Sequence, residues 1–351
     1  MKKMLFVASL PIKGHSFDGE RNKAKAMLSA FMKNRLYKID IINYSKNKYL
    51  QTIKLIIMVM FRKYELIYIS KCIVGGTIAL HQILLFGKKM NKNNIAFYIV
   101  GNGYNGFEDK KMYLGDLRKC RKVILESEKV IPQMEKIGVK TNLVFPSIKE
   151  NYDCPFLEKQ YKHDDVLNAL FFSRIHFHKG VMDAVAAVIN VNANAGRPLF
   201  TLSIAGGKFK EPEYQATEDA ILKEAANHPE IMYLGTTLSL KDPNSYRDIQ
   251  KYDLHIFPSQ FYQECAPGSV IDMFIAGVPT LSSRFESANI LMSDDNSYFF
   301  EIGNVADLEE KLLHIYSHKD ELIVKRREAY KERNKYTIDA YLDFLMKNDI
   351  V

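Results

Sequence analysis

Short apolar runs alternate along this chain with longer segments in which apolar residues recur at a helical spacing. In the first half the apolar runs lie at residues 4–9, 38–43, 66–70, 95–100, 123–127 and 141–145. Helical patterns fill the gaps, for example at 22–33, 77–89 and 129–136. This alternation is typical of α/β construction with parallel strands. The first 150 residues are therefore predicted to form one α/β domain.

The same pattern restarts after a polar, proline-containing stretch at 151–165, which is predicted to be a linker. Further strands are expected at 167–173, 200–205, 231–234, 254–257 and 280–282, with a helix from about Val181. The last helical pattern, 307–349, is charged and broken. The predicted fold class is α/β, with two Rossmann-like domains facing each other across a cleft and residues 166–325 forming the second.

The composition of the chain excludes only a few classes of function. A chain of 351 residues is long enough for about two domains. Its four cysteines are far apart with no C-x-x-C spacing, so neither a zinc site nor a disulfide framework is predicted. The first apolar run stops at Pro11, too early for a signal peptide, and no run approaches the length of about 20 residues needed to cross a bilayer. We expect a cytoplasmic protein.

The formal net charge is +8, which raises the question of an anionic partner. Zinc-finger spacing, a helix-turn-helix and RNP-like aromatics are not evident, so nucleic acid is not an expected partner. Residues 44–60 and the Arg-Lys pair after Phe61 combine a contiguous apolar stretch with lysine and arginine. This segment is either a helix resting on an anionic membrane or a core helix with a basic rim. The second interpretation is favoured, because the apolar residues define no single face.

Two glycine-containing loops follow predicted strands of the first domain. Gly101–Gly106 reads G-x-G-x-x-G, and Glu126 comes 20 residues after Gly106, as in a dinucleotide-binding turn. However, the motif follows three earlier strands, and acidic residues stand where a pyrophosphate would bind. A glycine-rich loop at the ligand edge of the sheet is the preferred interpretation. In the loop 11–20, Gly14 allows close approach of a ligand, and His15 is a candidate base or simply solvated.

Two segments of the second domain carry stronger candidates. Arg174 and Lys179 follow its first strand, and a guanidinium with an ammonium can neutralise a diphosphate. The rival interpretation is a metal held by His176 and His178, for which no further ligands are evident; ordinary surface bases are a third.

Acidic residues stand farther along the same domain. Glu264 and Asp272 flank the turn Pro267-Gly268-Ser269, which precedes an apolar helix. Two carboxylates at this spacing can bind hydroxyls of one ligand, and free amides at a helix start suit a phosphate.

Six motifs occur in one order here: S-R-I-H-F-H-K-G-V, L-S-I-A-G-G, Y-L-G-T-T, H-I-F-P-S, E-x7-D and A-G-V-P-T. In this order and spacing the chain resembles the donor-binding half of retaining GT-B glycosyltransferases of the family-4 type. The resemblance covers residues 166 to about 313 and is weaker over the first 150. It implies that the final segment, 326–351, packs back on the first domain.

The resemblance implies a role for each matching residue near the donor's phosphates and sugar. Arg174 and Lys179 match the basic pair that holds the diphosphate, and Glu264 matches the acid that contacts the transferred sugar. These three residues are the expected catalytic set. Retaining members of this group are thought to need no protein nucleophile, because the departing phosphate assists the incoming hydroxyl. No metal and no cofactor are expected.

Other matching positions complete the expected donor site. Asp272 matches the ribose-binding acid but is one methylene shorter than the usual glutamate. Pro267, Gly268 and Ser269 match the phosphate turn, and Gly235 and Thr236 match the loop beside the base. Gly14, His15 and Asn102 are expected on the acceptor side. Asn102 stands where the family often has a histidine, so no acid or base is assigned to the first domain.

The resulting hypothesis is a metal-independent retaining transferase. It would move a sugar from a UDP- or GDP-sugar to a glycan, a glycoprotein or a lipid-linked acceptor, with peripheral membrane contact as an open alternative. A second hypothesis is a non-catalytic GT-B subunit that binds glycan or an active partner. A third is an NAD-dependent oxidoreductase that uses Gly101–Gly106.

Overall fold

The structure is a computed structural model that describes residues 2–12, 19–87, 94–101, 113–140, 142–150, 154–207, 211–238, 240 and 244–351. The chain forms two compact units, each with its own sheet. The first unit contains Met1–Asn151 together with Tyr336–Val351, and the second contains Tyr152–Lys335.

The first unit has a six-stranded parallel sheet. Its strands are β1 (Lys2–Ala8), β2 (Tyr37–Asn43), β3 (Leu66–Lys71), β4 (Ile95–Ile99), β5 (Lys122–Leu125) and β6 (Asn142–Val144). Their order across the sheet is β2-β1-β3-β4-β5-β6. The helices that follow these strands are α1 (Gly19–Asn34), α2 (Lys48–Phe61), α3 (Ile73–Phe86) and α4 (Ile131–Lys136). The six strands predicted for this half are confirmed, with ends shifted by one or two residues.

The strands of the first unit are apolar on both faces because helices cover both faces. Leu5 and Val7 of β1 pack into one core with α2, α3 and α4. Met4 and Phe6 point to the opposite face and pack into a second core with α1. This double burial explains why the strand sequences read as continuous apolar runs.

The second unit has a sheet of the same size. Its strands are β7 (Leu167–Phe172), β8 (Phe200–Ala205), β9 (Ile231–Gly235), β10 (Leu254–Phe257), β11 (Thr280–Ser283) and β12 (Ser297–Phe300). All pairings are parallel, in the order β12-β11-β10-β7-β8-β9. Its helices are α5 (Val181–Ala195), α6 (Pro212–Asn227), α7 (Ser245–Ile249), α8 (Gly268–Ala276), α9 (Val305–Ser317) and α10 (Lys319–Glu332).

The strand order reverses direction in the middle of the second sheet. β8 and β10 lie on opposite sides of β7, so the loops after β7 and β10 leave the sheet side by side. In open α/β sheets the crevice at such a reversal is the usual ligand site. The topology therefore puts the basic segment after β7 next to the segment after β10.

The final helical pattern divides between the units. Arg326 of α10 is buried in the second unit and donates to the Tyr252 carbonyl at 2.9 Å. The next helix, α11 (Ile338–Lys347), packs against α1 of the first unit, where the Tyr341 and Tyr68 hydroxyls share a hydrogen bond. The resemblance implied this return of the chain. The returning segment begins at Tyr336 rather than at 326, because α10 is anchored by Arg326.

The stretch expected to be a linker is part of the second unit from Tyr152 onward. The Lys159 ammonium and the Tyr161 hydroxyl both donate to Asp253 Oδ1, at 2.5 and 3.0 Å. Gln250 donates to the Pro155 carbonyl at 2.6 Å. These side-chain bonds hold a segment without regular secondary structure, which explains why it lacks periodicity.

Candidate functional site

Two loops of the second unit bring together several of the residues singled out from the sequence. One is residues 173–180 after β7, and the other is residues 258–267 after β10. The backbone amide of Gln260 donates to the His178 carbonyl at 2.9 Å, and this bond joins the two loops directly. They meet at the reversal of the strand order. We call these two loops and the start of α8 the switch-point site.

A glycine makes this close approach of the loops possible. Gly180 has φ of +68° and lies between a one-turn 3-10 helix and α5. A Cβ at this position would lie 1.9 Å from the Pro258 carbonyl oxygen. The glycine of the H-K-G segment is therefore required both by its left-handed backbone and by the β10 loop packed against it.

Lys179 and Glu264 form an ion pair at the centre of the site. The Lys179 ammonium bonds to Glu264 Oε2, which also accepts a hydrogen bond of 3.1 Å from the Ser259 hydroxyl. The ammonium also lies 5.7 Å from the centre of the Phe257 ring. The side chains are 13% and 15% exposed, so solvent still reaches both. The structure thus joins two of the three predicted catalytic residues, which are 85 positions apart in sequence.

Arg174 lies on the loop with Lys179, and its side chain is exposed. Between them, Ile175 is fully buried and its amide donates to the Gly207 carbonyl at 3.0 Å. The buried isoleucine fixes the loop, so that both basic residues belong to one anchored segment.

The two histidines of this loop have structural contacts. His176 Nδ1 accepts from the His178 amide at 3.2 Å, and its ring packs 4.6 Å from the Tyr214 ring. Within the described ranges, no group of three or more His, Cys, Asp or Glu side chains is arranged to hold a metal ion. His176 therefore serves to cap the short helical turn that carries Lys179.

The predicted phosphate turn is the start of α8. Pro267 is the N-cap residue, α8 begins at Gly268, and no side chain caps the helix. Its first turn contains no acidic residue, so the partial positive charge of the helix start is not offset there. Gly268 and Ser269 are half-buried at this start. The turn has the amides and polarity that an anion requires.

Asp272 lies one turn into α8 and is only 3% exposed. Its Oδ1 accepts a hydrogen bond of 2.8 Å from the Tyr246 hydroxyl of α7. The structure therefore gives this carboxylate a buried protein contact that the sequence did not indicate. Its predicted contact with ribose stays a prediction.

The loop after β9 also reaches this edge of the sheet. Gly235 has φ of +54°, and its carbonyl accepts from the Gly206 amide at 2.8 Å. Thr236 is exposed beside it. A Cβ on Gly206 would lie 1.7 Å from the Ser173 carbonyl oxygen. Gly206 therefore lets the end of β8 approach the loop 173–180. This glycine was given no role from the sequence, although the L-S-I-A-G-G motif contains it.

Most of the site residues predicted on the first unit cannot be compared with the structure. Gly14, His15 and Asn102 lie outside the described residues, as do residues 102–106 of the glycine-rich motif. Glu126, the acid that an NAD site would use on a ribose, is 1% exposed and forms a 2.7 Å ion pair with Lys23. Burial raises the pKa of its carboxyl, against the lowering effect of Lys23. Glu126 is thus engaged inside the protein, which disfavours the dinucleotide interpretation.

A pocket of about 510 Å³ adjoins the second loop. The Glu286 amide donates to the Tyr262 carbonyl at 3.0 Å and connects that loop to the pocket. The Arg284 guanidinium lies 4.7 Å from the centre of the Phe299 ring. The polar and aromatic lining includes Tyr262, Arg284, Phe299, Glu301, Asp307 and Lys311. Nothing in the sequence indicated this pocket, because its lining comes from three separate segments.

No protein-family model matches the chain, and no curated protein matches it. Solved structures do. HepE from Anabaena, in complex with UDP and glucose, is 13% identical with a TM-score of 0.66, and the match covers 99% of each chain. This chain has the GT-B fold. Sucrose-phosphate synthase from Thermosynechococcus elongatus matches with a TM-score of 0.71 at 12% identity, over 99% of this chain and 98% of that one.

A glycosyltransferase from Rickettsia africae gives a TM-score of 0.68 at 15% identity, with 99% of this chain and 98% of that chain covered. These matches extend over both units, so the GT-B fold is not limited to the half that carries the motifs. The fold class expected from the motifs is confirmed. At such identities the similarity establishes the fold, and the chemistry rests on the residues of the switch-point site.

Proposed function

We propose that this protein is a retaining glycosyltransferase that moves a sugar from a UDP- or GDP-sugar to an acceptor hydroxyl. The observation that carries the proposal is the Lys179–Glu264 pair at the switch point. It places an ammonium and a carboxylate beside the uncapped start of α8. Binding of a diphosphate joined to a sugar requires both groups. The phosphates need positive charge, and the sugar hydroxyls need a hydrogen-bond acceptor.

Ligand binding would rearrange this pair. Lys179 neutralises Glu264 in the structure. An incoming diphosphate carries more negative charge than one carboxylate, so the ammonium turns toward the phosphates. The Glu264 carboxylate is then free to accept hydrogen bonds from hydroxyls of the donor sugar, while Ser259 still donates to Oε2. Arg174, exposed on the same loop, supplies a second, bidentate contact to phosphate.

The reaction then depends on stabilising the leaving group. The bond between the anomeric carbon and the phosphate oxygen breaks, and the acceptor oxygen bonds to that carbon on the same face. The acceptor proton passes to the departing phosphate oxygen. Charge builds up on the diphosphate, where Lys179, Arg174 and the α8 amides stabilise it. In this proposal the basic side chains do the work for which other transferases use a metal.

Similarity to known structures supports the nucleotide class. HepE was solved with UDP and with UDP-glucose, and TarM, which is 14% identical over 85% of this chain, was solved with UDP. The acceptor in this proposal is a glycan, a glycoprotein or a lipid-linked glycan. The proposed location is cytoplasmic.

A thermal-shift panel of UDP, GDP, UDP-glucose, GDP-mannose and NAD tests the class of ligand. We expect UDP or GDP compounds to raise the melting temperature and NAD to have no effect, because only a bound ligand stabilises the folded state. Lys179→Ala should weaken nucleotide affinity by about 10-fold to 100-fold, the value of one charge-assisted contact. Lys223→Ala, an exposed lysine of α6, is the matched control.

Transfer itself is tested with Glu264→Ala. We expect this variant to bind the nucleotide and to lose sugar release from the donor by about 100-fold or more, since the sugar is no longer positioned. Unchanged release would contradict the assignment of this site. Nucleotide binding without any sugar release by the unmodified protein would support the non-catalytic subunit instead. Binding of NAD would support the oxidoreductase.

A further inference from the structure

Helix α2 of the first unit has two apolar faces. Leu55, Met58 and Val59 are buried and pack into the core beneath the sheet. The other face is apolar as well, and its side chains are 42–84% exposed; they are Tyr49, Leu50, Ile53, Ile57, Met60 and Phe61. An exposed apolar set of this size on one helix needs an explanation, whereas single exposed apolar residues do not.

The exposed residues form one continuous surface. At about 100° per residue, the six positions fall within an arc of about 120°, and the three buried positions lie on the opposite side of the helix. This arrangement corrects the sequence interpretation, in which the contiguous apolar run defined no face. The run is contiguous because two faces of the helix are apolar. One face packs into the core, and the other is exposed. We call the six-residue surface the outer face of α2.

The charged residues in the segment that contains α2 all have one sign. Residues 41–64 contain no acidic residue and five basic ones: Lys46, Lys48, Lys54, Arg62 and Lys63. Arg62 is paired with Asp40 at 2.8 Å. In the part of the chain that the structure describes, the exposed side chains of Lys46, Lys48 and Lys63 form no ion pair. Three ammonium groups without protein counter-ions therefore lie at the two ends of α2.

We propose that the outer face of α2 docks the first unit on an anionic lipid bilayer. Apolar side chains enter the boundary between headgroups and acyl chains, and the lysines remain with the lipid phosphates. With 14 residues, α2 is about 21 Å long, shorter than the bilayer's hydrocarbon core of about 30 Å. None of the described helices qualifies as a membrane span. The helix therefore lies in the plane of the surface.

The charges favour lipid over a second copy of the chain. A symmetric dimer through this face would set like charges around both sides of one interface, which is repulsive. An anionic bilayer is instead attracted by the three lysines and accepts the apolar arc. The proposal does not depend on the chemistry of the switch-point site, which belongs to the other unit.

Co-sedimentation of the full chain with vesicles tests the proposal. The probes are phosphatidylcholine vesicles with and without about 30% phosphatidylglycerol, at low and high salt. We expect binding to the anionic vesicles only, weakened by salt. Replacing Lys46, Lys48 and Lys63 by glutamine should reduce binding about fivefold for each lysine. Ile53→Ser with Ile57→Ser should abolish measurable binding.

Leu222→Ser with Val324→Ser is the matched control, because these residues are similarly exposed in the second unit. This variant should bind vesicles as the unmodified chain does. Equal binding to neutral and anionic vesicles, or full binding by the Ile53/Ile57 variant, would overturn the proposal. So would a dimer in light scattering that depends on Ile53 and Ile57 while vesicles are not bound. Nucleotide-induced thermal shifts should be the same in all variants, which separates this result from failure of the proposed transferase function.

Discussion

Two lysine–glutamate pairs stand near the carboxyl ends of the two sheets, and they differ mainly in burial. Lys23–Glu126 in the first unit has side chains 9% and 1% exposed, and Glu126 also accepts from the Tyr98 hydroxyl at 3.4 Å. Lys179–Glu264 in the second unit has side chains 13% and 15% exposed. The first carboxylate is sealed within the fold. The second is reached by solvent.

The difference separates a structural pair from a binding pair. A sealed pair cannot exchange its partner without leaving a buried charge, so it holds the fold together. A pair that solvent reaches can release its partner to a ligand with a smaller loss of free energy, because the separated charges are partly hydrated. The two pairs are alike in chemistry, and their surroundings determine what each can do.

The largest expected effect is the loss of the sealed pair. Glu126→Ala should lower the free energy of unfolding by about 3–5 kcal/mol, because it removes the carboxylate from a buried ion pair with Lys23. Glu264→Ala should lower it by less, about 1–3 kcal/mol, because solvent reaches the Lys179–Glu264 pair. Urea unfolding followed by circular dichroism measures both values. Similar losses in the two variants would contradict the comparison, and so would a nucleotide-binding defect in Glu126→Ala at a temperature where it is folded.

A second, smaller effect distinguishes two glycines of the second unit that share a backbone conformation. Gly180 and Gly196 have φ of +68° and +64°. A Cβ on Gly180 would meet the Pro258 carbonyl oxygen, whereas a Cβ on Gly196 would meet nothing within 4 Å. Gly196→Ala should therefore cost about 1 kcal/mol from backbone strain alone. Gly180→Ala should cost about 3 kcal/mol, because overpacking is added.

The glycine pair also tests the site. Only Gly180→Ala should weaken nucleotide binding, since it pushes apart the loops that carry Lys179 and Glu264. Unfolding and thermal-shift measurements on the two variants provide both readouts. Equal stability losses would show that the contact between Gly180 and the β10 loop does not hold the site together.

Much of the fold could be predicted from sequence because doubly covered parallel strands are simple apolar runs. Eleven of the twelve strands follow from that pattern. β12 was missed, because Ser297–Phe300 directly follows a polar segment that contains two aspartates. Arg326 at the middle of α10 reads as a surface residue, although its side chain is buried against Tyr252. Single-sequence patterns do not show such partners.

The sequence named residues that the structure brings together, but it did not indicate most of their contacts. Motif order identified Lys179 and Glu264, but their ion pair depends on β7 and β10 being neighbours, which no local pattern encodes. The Tyr246 hydroxyl on Asp272 and the Ser259 hydroxyl on Glu264 were missed for the same reason. The prediction for α2 was incomplete for a different reason. Its hydrophobicity was recognised, but apolar residues on two opposite faces of a helix cancel in any test for a single apolar face.

The smallest expected effect concerns a buried histidine that has no charged partner among the described residues. His255 on β10 is fully buried, bonds to Thr280 Oγ1 at 3.1 Å, and burial lowers its pKa to about 3. The unfolded chain therefore binds one more proton than the folded chain between about pH 6.5 and pH 3. Stability from this group is present above pH 6.5 and is lost as pH falls through that window. Between pH 7 and pH 5 the loss amounts to about 2 kcal/mol.

Urea unfolding of His255→Gln at pH 7 and pH 5 measures this contribution. The variant is expected to be less stable at pH 7 because it disturbs the core, so the decisive quantity is the change between the two pH values. That change should be smaller than in the unmodified protein by about 2 kcal/mol. An unchanged pH dependence in His255→Gln would mean that His255 is protonated in the folded chain. Burial in this core would then not be enough to keep the imidazole neutral.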